Sequence, residues 1–388
     1  MKIAIIGAGI AGTAAAFEIA RQGGRAKVIH GLTGASGLYS GALDDEPWDL
    51  AQPASALDSG LGEFSVQLGA WELGPSSLFI ATLEGNVRPT RGSDRALLDL
   101  ERCAGKRVAV VELERDDWDA ALLANSFSSS AWARQTGTQF FAAPLPVLEK
   151  GFERRISGYD FASLHDAPER AQALQACLRE SQISADAWLF GPWLGLERSL
   201  SEELSRALTV PVGETTSAPG GAAGARFERA RDRLLERIAD VERGQLTSLE
   251  RVGQGYRLQM RDRPAEEFPT VVLATGGVAA GGVALERSFE RRGGTGFRLS
   301  FSAPLALSLG SEVLEGVSSL SGFDFAERGL GRLLEVGIAC QADGSVPEKP
   351  GIFVAGDVIA GRARTALSAA ASGLKAARAA LSYSRRLS

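Results

Sequence analysis

The sequence is poor in the residues that build metal and disulfide centres. Its 388 residues include only three cysteines and two histidines. Cys103, Cys177 and Cys340 are far apart and form no Cys-x-x-Cys pair, which argues against zinc, iron–sulfur and redox-disulfide motifs. Two isolated histidines exclude a histidine-rich metal centre, so we predict no metal site.

Long apolar runs and an excess of basic charge are also missing. No run approaches the roughly 18 residues of a membrane span, and the first apolar run lacks the basic leader of a signal peptide. The net charge of −5 argues against a nucleic-acid-binding protein. The composition is that of a soluble globular protein, so we expect a cytoplasmic chain of two or three domains with a small-molecule substrate.

The most informative stretch lies at the N-terminus. An isoleucine-rich run up to Ile6 is typical of a buried parallel strand, and Gly-x-Gly-x-x-Gly then opens an alanine-rich helix that continues to about Gln22. The glycines allow a tight turn, a close approach of a pyrophosphate and close helix packing, while the helix N-terminus offers N–H donors. The alternative is that the glycines serve packing alone. The motif predicts a dinucleotide site at Gly7, Gly9, Ile10, Ala11 and Gly12.

The second predicted strand, residues 25–30, ends without the acidic residue that usually binds a ribose. His30 stands in that place, which leaves the ribose contact open and disfavours a conventional NAD site. The small, hydroxyl-rich loop of residues 34–44 follows the strand. We expect it to line the cofactor, although a surface turn is the alternative; the candidates are Ser36, Gly37, Ser40 and Gly41.

Residues 104–215 repeat an α/β rhythm without a phosphate loop of their own. Strands are predicted at 106–113, 139–142 and within 185–196, with helices ending near residues 127, 180 and 208. We interpret this block as an inserted substrate or partner domain. His165 lies in a loop of the block and is a weak catalytic candidate, because a lone histidine is more often structural. Residues 45–102 give little signal.

After a small-residue linker at 215–223, an apolar stripe predicts an amphipathic helix: Phe227, Ala230, Leu234, Ile238 and Val241. The charges between them are interpreted as a solvated face, with Arg226 a weak candidate for an anionic ligand. A hairpin is predicted from 246–252 and 256–260.

Two later strands end in glycine motifs, at Ala274-Thr275-Gly276-Gly277 and at Gly356-Asp357, and a helix is predicted from 365 to 381. The first looks like a flavin-packing turn of two-dinucleotide-binding flavoproteins. A carboxylate at 357 can accept hydrogen bonds from ribityl hydroxyls, or merely cap its turn, and the following helix N-terminus can face the flavin. With the first loop they predict FAD, less favourably FMN. No second Gly-x-Gly-x-x-Gly loop follows a strand in mid-chain, so we expect no nicotinamide domain. The electrons should therefore leave to another protein or to a quinone.

These motifs, together with the serine-rich loop and residues 192–196 and 281–286, resemble those of the B subunit of anaerobic glycerol-3-phosphate dehydrogenase almost from end to end. The resemblance implies a Rossmann-like FAD-binding α/β domain of the two-dinucleotide-binding type, from 1–103 plus 216–388, with the inserted α/β domain at 104–215. It also implies oxidation of sn-glycerol 3-phosphate to dihydroxyacetone phosphate by hydride transfer to the flavin, with electrons passed towards quinone.

The partners implied by the resemblance are a catalytic flavoprotein subunit and an iron–sulfur membrane-anchor subunit, which would place this chain in a hetero-oligomer at the inner face of the membrane. Where that family is glycine-rich, residues 359–364 are basic. Arg362 and Arg364 are therefore candidates for binding an anionic substrate group or a flavin phosphate, or they form a solvated basic turn.

Two other functions fit the sequence. One is a stand-alone flavoprotein dehydrogenase or oxidase of an amine or hydroxy acid. The other is a non-catalytic, flavin-containing electron-transfer or assembly subunit, which the scarcity of acid and base groups favours.

Overall fold

A computed structural model of the chain describes residues 2–31, 34–44, 59–289, 296–302, 313–319, 322–325 and 336–387. Their helices, numbered along the chain, are α1 (Ile10–Arg21), α2 (Ser59–Leu68), α3 (Ala120–Ser128), α4 (Ala131–Thr136), α5 (Gly158–Leu164), α6 (Pro168–Glu180), α7 (Ser201–Leu208), α8 (Ala222–Ile238) and α9 (Ala366–Leu387). No helix in these ranges is long and apolar enough to cross a membrane.

The strands of the same residues fall into five sheets. They are β1 (Ile3–Ile6), β2 (Lys27–His30), β3 (Ala42–Leu43), β4 (Trp71–Ala81), β5 (Val87–Asp94), β6 (Arg107–Glu112), β7 (Gln139–Pro144), β8 (Ala187–Phe190), β9 (Val212–Glu214), β10 (Asp240–Arg243), β11 (Leu246–Val252), β12 (Gly255–Met260), β13 (Glu266–Phe268), β14 (Thr270–Leu273), β15 (Ala284–Phe289), β16 (Gly296–Ser302), β17 (Val313–Ser319), β18 (Gly322–Phe325) and β19 (Ile352–Val354).

The central sheet has the order β10-β2-β1-β14-β19, and every pairing in it is parallel. It is covered on both faces, which explains why β1 is apolar at successive positions. Ile3 and Ile5 pack with α1 and α9, whereas Ala4 and Ile6 pack with the antiparallel sheet β11-β12-β13. The α/β fold class predicted from the sequence is confirmed by this three-layer arrangement.

A second parallel sheet, of order β7-β6-β8-β9, is built from residues between 107 and 214. Its strands and the helices beside them share one apolar core that includes Trp118, Phe127 and Phe161. This sheet forms the α/β unit expected in that part of the chain; the boundaries at 104 and 215 stay a prediction.

Several local predictions need correction. The hairpin is confirmed as β11 and β12, but helix α8 ends at Ile238, so Val241 belongs to β10 rather than to the helix stripe. Residues 215–217 are buried and α8 begins at Ala222, so this stretch is not an open linker. The strand expected within 185–196 is confined to β8, and the last helix runs on to Leu387.

The segment with little sequence signal contains regular structure. Among its described residues, α2 precedes β4 and β5, which join β3 in an antiparallel sheet. The register of β4 shifts between Leu73 and Leu78, and Pro89 lies in β5, so no clean alternation marks either strand. Residues 45–58 lie outside the described residues.

Candidate functional site

A cleft of about 980 Å³ lies where the strands of the central sheet end. Its wall includes the turns that follow β1, β2, β14 and β19, and it is completed by the loop before β3 and the first turn of α9. Ligands of open α/β sheets bind at this carboxyl edge. The structure thus gathers at one cleft the three glycine-containing turns that are far apart in the sequence.

The turn after β1 tolerates no side chain at two of its glycines. Gly7 has a φ of +108°, and a Cβ there would lie 2.2 Å from the Ala274 carbonyl oxygen. A Cβ at Gly12 would lie 1.9 Å from the Gly7 carbonyl oxygen. These contacts bring the turns after β1 and β14 together and seat α1 on its strand, as the motif predicts.

The serine-rich loop closes one wall of the cleft and is fixed to α1. The Ser36 hydroxyl oxygen accepts a hydrogen bond from the Ile10 backbone N–H at 3.0 Å, while Ser40 lines the cleft. Gly37 and Gly41 lie behind the lining: Gly37 contacts α8 at Gly224, and Gly41 packs against Leu97. Two of the four loop candidates therefore face the cleft, and two position the loop.

The first turn of α1 retains hydrogen-bond donors for an anion. Helical bonding starts with Thr13, whose N–H donates to the Gly9 carbonyl. The preceding N–H groups of Ala11 and Gly12 have no acceptor among the described residues, as expected at a helix N-terminus. In the adjoining turn after β14, the Thr275 hydroxyl is buried and also lacks a partner within the described part of the chain. Unsatisfied polar groups fit a site that is completed by a polar ligand.

Asp357 and the N-terminus of α9 lie on the β19 side of the cleft, where Gly356 packs against Ala11 of α1. Asp357 follows β19 and is half-buried; burial raises the pKa of its carboxyl group, while the nearby Arg364 guanidinium opposes that rise. Arg364, Thr365 and Ala366 line the same end. The Leu367 N–H donates to the Asp44 carbonyl oxygen at 3.1 Å, which docks α9 on the residue that follows β3.

His30 lies at the carboxyl end of β2, in the wall of the cleft. Burial lowers the pKa of its imidazole, and the neighbouring Arg231 guanidinium lowers it further. The ring is therefore neutral at pH 7, and it can both donate and accept hydrogen bonds. This is a different chemistry from the acidic residue that usually ends the second strand.

Sequence reasoning missed Arg231. It projects from α8 into the cleft, is 8% exposed, and its Nη1 atom lies 3.4 Å from the Ala8 carbonyl oxygen of the glycine turn. A signal was available, because position 231 lies four residues after Phe227 and three before Leu234. Those spacings put it on the buried stripe of α8 rather than on the solvated face.

The remaining cationic candidates do not face the cleft together. The Arg362 side chain lies outside the lining and reaches the Ala342 carbonyl oxygen at 3.4 Å, whereas Arg364 is in the lining and donates to the Val336 carbonyl oxygen at 2.9 Å. Arg226 belongs to α8 and is buried, and its guanidinium pairs with Glu214 at 2.6 Å and Asp94 at 3.2 Å. The prediction that Arg226 binds an anionic ligand is therefore wrong, because its guanidinium is engaged in this internal ion cluster.

His165 is placed in the second α/β unit, outside the cleft lining. It is 2% exposed, its Nδ1 atom is hydrogen-bonded to the Phe161 carbonyl oxygen at 3.1 Å, and its ring meets the Phe161 ring edge-on. Burial lowers the pKa of the imidazole to about 4. These contacts give His165 a packing role rather than access to a substrate in the cleft.

Comparison with solved structures finds chains that align over nearly the whole protein. A GidA-related protein from Thermus thermophilus is 11% identical, covers 98% of each chain and has a TM-score of 0.35. Glycine oxidase from Geobacillus kaustophilus is 13% identical over 98% of this chain and 94% of its own, with a TM-score of 0.36. Iminodiacetate oxidase from Chelativorans sp. BNC1 is 13% identical over 99% and 95%, with a TM-score of 0.33.

No protein-family model and no curated protein sequence matches the chain. Because the three structural likenesses score below 0.5, the assignment of the cleft rests on its own geometry.

Proposed function

We propose that the cleft binds FAD and that the protein is a FAD-dependent oxidoreductase. The observation that carries the proposal is the pairing of two features in one cleft. One is the first turn of α1, where the Ala11 and Gly12 N–H groups have no acceptor among the described residues, and the other is the Asp357 carboxylate with the N-terminus of α9. A diphosphate joined to a polyol chain offers matching groups, and about 980 Å³ is an adequate volume for a large cofactor.

Each of these two features has a defined task in this proposal. The N–H groups of Ala11 and Gly12 would donate to phosphate oxygens, helped by the positive end of α1. Asp357 would accept hydrogen bonds from ribityl hydroxyls, which requires its ionised form; the Arg364 guanidinium favours that form against the effect of burial. When bound, FAD supplies the hydride-accepting chemistry. The N-terminus of α9 would favour negative charge beside it.

The cofactor assignment can be tested on purified protein. The native chain should carry the yellow absorbance of a flavin after gentle extraction, or the apo chain should take up added FAD on calorimetric titration. A folded protein that shows neither would refute the proposal. The same titration with NAD as ligand should show weaker binding, because NAD lacks the ribityl hydroxyls assigned to Asp357.

The more specific proposal is a flavoprotein subunit of the anaerobic glycerol-3-phosphate dehydrogenase type. It is supported by the shared motifs and by Arg364, a cation beside Asp357 that could receive a substrate phosphate. In the complete enzyme, electrons would pass to partner subunits and then to quinone. Dye reduction that depends on sn-glycerol 3-phosphate, measured with the chain alone and with its partners, tests this; no reduction in either case would exclude the substrate.

One observation favours a second candidate, a flavin-containing electron-transfer or assembly subunit. Within the described lining, two possible bases near α9 other than Asp357 are already engaged. The Asp44 carboxylate is held by Arg88 at 3.0 Å, and the Tyr39 hydroxyl donates to the Gly41 carbonyl oxygen at 2.8 Å. A bound flavin that no small substrate reduces directly would support this candidate, whereas peroxide production by the single chain would indicate a stand-alone oxidase.

A further inference from the structure

The charged side chains that line the cleft are unevenly distributed. Asp44, Asp357 and Arg364 lie at the end of the cleft beside α9. Among the described lining residues, Arg231 is the one permanently charged group at the other end, beside the neutral His30. The β2 end of the cleft, next to the glycine turn, therefore has a positive charge that no motif assigned.

Arg231 is held in place by its own helix. Its guanidinium pairs with Asp232 at 2.9 Å and lies 3.7 Å from Glu228, while Nη1 contacts the Ala8 carbonyl oxygen at 3.4 Å. The side chain is 10% exposed, whereas those of Glu228 and Asp232 are 24% and 35% exposed. The cation is thus more deeply buried than the carboxylates that orient it, and it reaches the turn on which a phosphate would rest.

A buried diphosphate requires more counter-charge than the helix supplies. Its two negative charges would face a helix N-terminus equivalent to about half a positive charge, and burying an uncompensated charge is costly. Planar guanidinium groups are well suited to phosphate oxygens. Arg231 lies between the glycine turn and His30, which is on the side where the adenosine part of the cofactor would extend from β2.

We propose that Arg231 binds the adenosine-side phosphate of the cofactor and thereby makes the cleft select FAD over FMN. This inference rests on the proposed function, because it assigns a specificity residue within the same cofactor site. FMN has a single phosphate and no adenosine, so it gains less from a cation on the His30 side. The chain then distinguishes the two flavins through one arginine rather than through the flavin ring.

The test is calorimetric titration of the apo chain and its R231M variant with four probes: FAD, FMN, ADP and adenosine. A charge-assisted hydrogen bond is worth about tenfold to hundredfold in affinity. R231M should weaken FAD and ADP binding by that factor and leave FMN and adenosine within about twofold. The matched control is R233M, two residues along the same helix, where the arginine is exposed and outside the cleft.

The outcomes separate this inference from the cofactor proposal. If the wild-type chain binds neither FAD nor ADP, the proposed function itself fails, and this inference with it. If the wild type binds FAD and R231M binds it equally well, only the role of Arg231 is refuted. Equal loss of adenosine or FMN binding also refutes it, because it would show general damage to the cleft. Should R231M not fold, R231Q with the same probes gives the same decision, and R231K should recover part of the ADP affinity.

Discussion

Replacing Glu214 by glutamine should remove a pH dependence from the folding stability. Glu214 is fully buried at the end of β9, where its carboxylate accepts hydrogen bonds from the Leu194 N–H and from Arg226. Asp94 shares the same guanidinium at 3.2 Å. Two buried carboxylates thus compete for one cation, and burial raises the pKa of Glu214 to about 7 although Arg226 opposes the rise.

The sign and size of the effect follow from proton linkage. The unfolded chain titrates this carboxyl near 4.5, so between that pH and about 7 the folded state binds more protons. Stability conferred by the protonated group is fully present below pH 4.5 and is lost as pH rises to 7. A difference of about 2.5 between the two pKa values corresponds to about 3 kcal/mol. Asp94, whose pKa burial also raises, acts in the same direction.

The assay is urea unfolding of wild type and E214Q at half-unit steps from pH 4.5 to 7.5, followed by tryptophan fluorescence. The free energy of unfolding of E214Q should rise relative to that of wild type by about 3 kcal/mol across this range. E202Q, which alters an exposed carboxylate paired with Arg95, should run parallel to wild type. Parallel curves for E214Q as well would show that Glu214 has no raised pKa and would refute the reasoning.

Three further outcomes are expected. G12A should lose FAD binding and several kcal/mol of stability, because its Cβ would overlap the Gly7 carbonyl. The control G62A changes a helical glycine with open space around it and should be neutral or stabilising by up to about 1 kcal/mol. Equal unfolding midpoints for G12A and G62A would contradict the close approach at Gly12. S36A should cost about 1 kcal/mol in thermal unfolding, because the Ile10 N–H loses its acceptor; an unchanged midpoint would mean that the loop is not anchored there. D357N should weaken FAD binding about tenfold by flavin fluorescence titration, and unchanged affinity would remove Asp357 from the site.

The frame of the fold could be predicted because its signals are local. The first strand, the glycine turn and the helix after it occupy consecutive residues, and each glycine has one steric purpose. Gly12 is the clearest case, since the space at its Cβ position is filled by the Gly7 carbonyl. Strand β4 could not be predicted in the same way, because its bulge interrupts the alternation of buried and exposed residues.

The arginines of α8 show which side-chain roles could be predicted from the sequence and which could not. Arg226, Arg231 and Arg233 lie on one charge-rich helix, yet the first is buried in an ion cluster, the second enters the cleft and the third is exposed. Helical spacing separates Arg231 from Arg233, but the carboxylates that meet Arg226 come from β5 and β9, 132 and 12 residues away. Only the tertiary structure brings such partners together, so residue type and spacing could not assign Arg226 correctly.

The pairing of β1 with β14 determines when the cleft can form during synthesis. Ile3 pairs with Thr270, and the edge strand β19 ends at Val354. A growing chain therefore carries its glycine turn for most of translation without the strands that complete the site. The apolar face of α1 stays uncovered until α9, the last helix, has been synthesised. The sheet from β6 to β9 has all its strands by residue 214 and can assemble earlier. Truncation near the C-terminus would thus leave that sheet intact and expose the isoleucine-rich N-terminal strand.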